Sequence, residues 1–286
     1  MKSKAPIPKP RKSTTPWDEI HVRSWDELIK VLHSPRIVKS RGTTDGGHRR
    51  SPYVFRGMSD ATWQLVTSLE RLGSAPADIE GPALRGFSKY ATTGTFRRNS
   101  DWERLAVAQH NGLPTRCLDW TVAPLVAAHF ATVERQHFKA DGVIWCVEAT
   151  ILRNHLLPPK LLNQLKAERA WVYNVPLLDE TFPRLGDFDA TAKTGGDAMM
   201  FFEPPSIDAR IQNQFAILSV MNGASKSHHR YLQTNARHPK FVRRITIDSS
   251  AKPEIRDMLD QNNITERMLF PGLPGLCDWL RRYYGP

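Results

Sequence analysis

Cysteine is scarce in this chain: three in 286 residues, Cys117, Cys146 and Cys277, each isolated in an apolar context and none in a C-x-x-C pair. That pattern excludes a disulfide framework and a cysteine-based metal site, and it fits reduced core thiols. No apolar run approaches the ~20 residues that span a bilayer, and the N-terminus lacks the hydrophobic centre of a signal peptide, so a soluble cytoplasmic protein is expected. Acids are also in short supply. Forty Lys and Arg stand against 29 Asp and Glu, a net charge of +11. An anionic partner would suit that excess, whether nucleic acid, a phosphorylated cofactor or an acidic protein. There is no phosphate-cradling Gly-rich loop, no G-x-S-x-G elbow and no H-E-x-x-H, which removes three large enzyme classes. His228-His229 has no carboxylate nearby in sequence and no spaced acid pair is evident, so no metal is predicted. Internal repeats are absent.

What is present is a globular composition, 40% hydrophobic and 24% charged, organised around residues 101–131. Ser100 or Asp101 can cap a helix whose first turn carries Glu103, where exposed N–H groups favour an acid. Trp102, Leu105, Ala106 and Gln109 recur at three- and four-residue spacing and line one face. Asn111-Gly112 ends that helix, because glycine adopts the left-handed conformation cheaply. Residues 115–120 read as a short buried strand, with Arg116 and Asp119 inside an apolar run. Pro124 then opens a second helix carrying Leu125, Val126, Ala128 and Phe130. An arginine and an aspartate held between two buried helices are costly unless paired or used.

Residues 1–17 form a disordered basic tail, in which Lys2, Lys4, Lys9, Arg11 and Lys12 alternate with prolines. Residues 24–32 carry a capping box, Ser24 with Glu27, ahead of the apolar face Trp25, Leu28, Ile29 and Leu32. Residues 36–51 are an exposed Gly, Ser, Thr and basic loop, and 53–57 a short strand ending at Gly57. A helix is expected near 84–90 and a loop over 92–99. The run 142–149 has the look of a central strand covered on both faces. Residues 152–169 are helical, broken at Pro158-Pro159. The stretch 177–196 reads as a long insertion or lid. Strands follow at 199–205, from about Gln214, and at 241–248, with a basic loop over 222–238 between the last two. Helices over 253–259 and 273–284 close the chain.

These residues carry a resemblance. Phe55-Arg56-Gly57, the block 108–131, residues 210–214 and residues 264–276 stand in the order seen in the FRG-domain family, named for its Phe/Tyr-Arg-Gly motif. The resemblance spans roughly 25–284. It departs at Ala216, where glycine is usual, and at 177–196. It implies an FRG-type domain over residues 18–286.

A second resemblance concerns chemistry. An arginine closing an early strand, then a strand with a polar centre leading into a helix, is similar to the layout of ADP-ribosyltransferases. Arg56 would take the first position, Asp119-Trp120-Thr121 the second, and Glu203 or Gln214 the third. The likeness implies NAD as cofactor and, by analogy alone, an effector of the toxin or phage-defence kind. Arg56 and Arg116 would bind the pyrophosphate, with Gly57, Thr115, Trp120 and Thr121 lining the cofactor site. Asp119, Glu203 or Gln214 would act at the reacting ribose, and His110 could move a proton.

The bland alternatives stay beside these. Arg116 and Asp119 can form an internal ion pair, and His110 can be a helix-end cap. A binding module without catalysis would use a basic surface of Arg97, Arg98, Arg243, Arg244 and the loop from His228 to Arg237. A nuclease on Asp119, Glu203 and His110 would need a further carboxylate for Mg²⁺. The expected architecture is one α+β domain, a mixed, bent sheet surrounded by helices, on an ADP-ribosyltransferase-like plan.

Overall fold

Local capping chemistry places the central segment as expected. The Ser100 hydroxyl accepts from the Glu103 N–H at 3.0 Å and starts the helix Asp101–His110, which ends at Asn111 and at Gly112 with φ +83°. Pro124 occupies the first turn of the helix Pro124–Thr132. The computed structural model describes residues 15–34, 39–40, 49–73, 75–236 and 241–285. The tail residues 1–14 and most of the 36–51 loop lie outside them. Ten strands are described: β1 (Asp18–Val22), β2 (Lys39–Ser40), β3 (Arg49–Arg50), β4 (Tyr53–Met58), β5 (Leu118–Thr121), β6 (Gly142–Glu148), β7 (Tyr173–Asn174), β8 (Met199–Glu203), β9 (Ala216–Met221) and β10 (Val242–Ile247). Strands β2 and β3 pair with each other; the rest form one mixed sheet in the order β1-β10-β6-β4-β5-β9-β8-β7. The α+β expectation holds: a single eight-stranded sheet surrounded by helices.

The sheet is weakest at its middle. Strand β4 pairs with β6 along its whole length, and β5 pairs with β9 from Leu118 to Thr121. Between β4 and β5 the register holds one pair, Phe55 with Thr121. One face of the sheet is covered by a continuous core that crosses this seam, including Val54, Trp120, Trp145, Phe201 and Ile217. Two separate clusters appear beyond it. One packs Phe55, Ile144, Ile245 and the helix alanines Ala127, Ala128 and Ala131; the other packs Trp102, Leu105, Phe188, Phe202 and Leu218. Gly57 makes the first cluster possible, because a Cβ there would stand 1.8 Å from the Ala127 carbonyl oxygen. Gly57 is thus a helix–strand contact.

Four expectations need correction. Residues 177–196 are not a lid: the short helices Val175–Thr181 and Leu185–Ala190 bury Leu177, Leu178, Leu185 and Phe188 in the second cluster. Trp102 ties this region down by donating Nε1–H to the Phe182 carbonyl at 2.8 Å. The basic stretch 222–238 contains the helix His228–Asn235, started by a Ser227 cap. Trp17 is buried edge-on against Trp145, so it belongs to the core. Cys277 is exposed, whereas Cys117 and Cys146 are buried as anticipated.

Candidate functional site

Where β4 and β5 part, a cleft of about 680 Å³ opens between the two separate clusters. Phe55 comes to it from one cluster and Ala106 and Leu218 from the other. Arg56, on β4, spans the seam. Its Nη1 donates to the Asp119 backbone carbonyl at 2.5 Å and stands 3.9 Å from the Asp119 carboxylate. Burial pushes the Arg56 pKa down; Asp119 opposes that shift, and the like charge of Arg71 adds to it. The Arg56 Nε is buried without a hydrogen-bond partner among the described residues.

Gln109 braces the Asp119 side chain. Its amide donates to Asp119 Oδ2 at 2.8 Å, and its carbonyl accepts from the Thr115 hydroxyl. The next residue, His110, also lines the cleft and holds Asp208 Oδ2 through Nε2 at 2.7 Å. Arg210, Ile211 and Gln214 complete the far wall. The Arg210 guanidinium lies 5.0 Å over the Phe270 ring, Nη1 donates to the His110 carbonyl at 3.3 Å, and Nε is buried without a partner among the described residues. Gln214 is anchored by donating to the Leu269 carbonyl at 3.0 Å, which leaves its own side-chain oxygen to accept. Trp63, Trp120 and Phe130 supply aromatic walls, and Glu134 a second carboxylate.

The arrangement therefore gathers Arg56, Gly57, His110, Asp119, Trp120, Thr121 and Gln214, seven of the residues singled out from sequence. Three fall elsewhere. Arg116 is turned into the protein, where Nε donates to Glu80 at 2.6 Å and Nη2 to Asp189 at 3.1 Å. It pairs with neither Asp119 nor the cleft, because β5 alternates and sends Asp119 outward, 60% exposed. Thr115 is buried and acts through Gln109. Glu203 is exposed at the end of β8, and its neighbour Pro204 is the residue that reaches the cleft. Gln109, Arg71 and Trp63 were missed. Gln109 offered a signal, a polar residue on an otherwise apolar helix face; Arg71 and Trp63 sit in a segment with little periodicity.

Residues 51–140 match the family model of the FRG domain. The chain carries an FRG domain. No curated protein and no solved structure matches the chain. Within the FRG domain lie Arg56, Gln109, His110, Asp119, Trp120 and Glu134; the opposite wall, Pro204 to Leu218, comes from beyond it. The Phe-Arg-Gly motif thus divides its labour. Phe55 fills a core, Arg56 crosses the seam, and Gly57 admits the helix.

The basic surface considered for nucleic acid is dispersed. Arg244 Nη1 is paired with Glu19 at 3.2 Å, Arg243 lies against Asp18 and Tyr53, and His228 is fully buried. Arg97 and Arg98 are exposed. Among the described residues no three His, Cys, Asp or Glu stand together in a way that could hold a metal, and no helix is long and apolar enough to cross a membrane.

Proposed function

We propose that the cleft of this FRG domain binds an anionic dinucleotide of the NAD class and cleaves the bond between ribose and nicotinamide, as an ADP-ribosyltransferase or glycohydrolase. One observation carries the reading: Arg56, Arg71 and Arg210 line one cleft. Guanidinium groups gathered in one cleft suit the two phosphates of a dinucleotide, which each can hold through charge-assisted hydrogen bonds. Trp63 and Phe130 offer flat apolar surface for a nucleobase or a nicotinamide ring, while Trp120 is packed into the core against Phe201. The volume lies within the ~300–1,000 Å³ of cofactor pockets.

The chemistry follows from charge. Departure of nicotinamide builds positive charge on the ribose, and a fixed carboxylate at that point lowers the barrier. Asp119 serves, held by Gln109 and exposed into the cleft. Glu203 lies outside the cleft, so the third position falls to Gln214, whose oxygen can accept from a ribose hydroxyl. The test is direct nicotinamide release by purified protein, wild type against Arg56→Ala and Asp119→Ala. Both substitutions should abolish release while far-UV circular dichroism is unchanged. Wild-type protein that neither releases nicotinamide nor shifts its melting temperature with NAD would refute the reading.

A further inference from the structure

The pair His110–Asp208 has no part in that chemistry, and its geometry is specific. Asp208 is immobilised: its Oδ1 accepts from the backbone N–H of Arg210 at 2.9 Å and of Ile211 at 3.3 Å, which leaves Oδ2 for His110 Nε2 at 2.7 Å. Partial burial alone would raise the Asp208 pKa, but hydrogen bonds from His110 and from these N–H groups bring it below the usual carboxylate range. A carboxylate can only accept, so Nε2 carries a proton, and in the Nε2–H tautomer His110 presents Nδ1 as an acceptor. Nδ1 has no hydrogen-bond partner among the described residues, and it is not sealed from solvent. The histidine lines the cleft, next in sequence to the glutamine that holds Asp119. Arg210 pins its backbone.

We infer that His110 is the general base that activates the acceptor, water or a hydroxyl group, with Asp208 as its positioning residue. The inference rests on the NAD-cleaving reading. In the step, the acceptor O–H gives its proton to His110 Nδ1 and the oxygen forms a bond to ribose C1′. The C1′–N bond breaks, and its electron pair leaves with nicotinamide, which becomes neutral. Asp208 resembles the carboxylate that fixes imidazole orientation and tautomer in hydrolytic triads, and a positioned base contributes about 10²–10⁴-fold. Asp208→Asn keeps a helix-capping oxygen but can offer Nε2 an N–H, which moves the imidazole proton to Nδ1.

The experiment measures nicotinamide release, NAD binding by calorimetry and the His110 tautomer by ¹⁵N NMR. It compares wild type, Asp208→Asn, His110→Gln and the double variant. The expected result is an Nε2–H imidazole in the wild type that becomes Nδ1–H in Asp208→Asn. Turnover falls at least ~10²-fold in each single variant, NAD affinity of Asp208→Asn stays within ~3-fold, and the double variant is no slower than His110→Gln. Turnover of Asp208→Asn near wild type, or losses that multiply in the double variant, would overturn the dyad alone. Should Asp208→Asn fail to fold, His110→Gln decides: turnover near wild type overturns the base, and a loss of at least ~10²-fold with NAD affinity kept supports it. Wild-type protein that does not release nicotinamide would overturn the dyad together with the reading beneath it.

Discussion

Arginine occurs in two contrasting settings in this molecule. Away from the cleft it is held by carboxylates. Arg116 lies between Glu80 and Asp189, and Arg282 makes four charge-assisted hydrogen bonds, two to Glu266 and two to Asp260. Arg256 joins that second network beside the buried His129. In the cleft, Arg56 and Arg210 reach backbone carbonyls, and the carboxylate nearest Arg56, that of Asp119, stands 3.9 Å away. The compensated arginines fasten elements that are distant in sequence: the residues leading into β5 to the helix Leu185–Ala190, and the closing helix Leu273–Tyr284 to the helix Lys252–Gln261. The cleft arginines, with no carboxylate in close bidentate contact, retain capacity for a ligand. Close carboxylate pairing, more than residue type, separates structure from site.

That contrast can be broken by substitution. The largest effect belongs to the contact that lets the seam exist at all. Gly57→Ala would drive a Cβ into the Ala127 carbonyl, and no folded protein is expected, a cost above about 5 kcal/mol; a soluble product with a cooperative melt would refute this. Next comes the compensated class. Glu80→Ala leaves Arg116 buried beside a single carboxylate, so urea unfolding should show a loss of about 3–5 kcal/mol, and a loss under about 1 kcal/mol would remove Arg116 from the structural group.

A smaller effect comes from acid. Burial, aided for His129 by Arg256, holds His129 and His228 at a pKa of about 3 in the folded chain, against an ordinary 6.5. Between those values the unfolded state binds more protons. Stability is therefore intact above about pH 6.5 and declines as the pH falls towards about 3, by about 2 kcal/mol per histidine at about pH 5. Equal urea midpoints at neutral pH and at about pH 5 would contradict both assignments. The smallest stability effect is expected in the cleft. Arg56→Ala should cost about 1 kcal/mol or less, since one hydrogen bond to a carbonyl is lost, yet remove nucleotide binding. A loss comparable to that of Glu80→Ala would move Arg56 into the structural class.

The legible parts of the sequence were those whose cause is local. The Ser24 and Ser100 caps, the stop at Gly112, the helix start at Pro124 and the apolar run of β6 all appear where capping and composition placed them. The Phe-Arg-Gly motif and Asp119-Trp120-Thr121 did converge on one cleft. Arg116 was the instructive miss. Its neighbours within five residues contain no acid other than Asp119, and its real partners lie 36 positions earlier and 73 later. The stretch 177–196 misled for a related reason: its helices are too short for periodicity to register, so Leu185 and Phe188 did not read as core.

By itself the sequence determined the α+β class, the bounds of the longer central elements and the motif Phe55-Arg56-Gly57, because propensity, capping and alternation act over a few residues. Tertiary structure alone decided that β4 and β5 would meet at one residue pair and open a cleft there. It also decided that Asp208 would reach His110 from 98 positions away, and that Arg116 would face inward while Arg56 reached across the seam to the Asp119 carbonyl. Such outcomes depend on which distant groups the fold brings within hydrogen-bonding distance, and no local pattern encodes that.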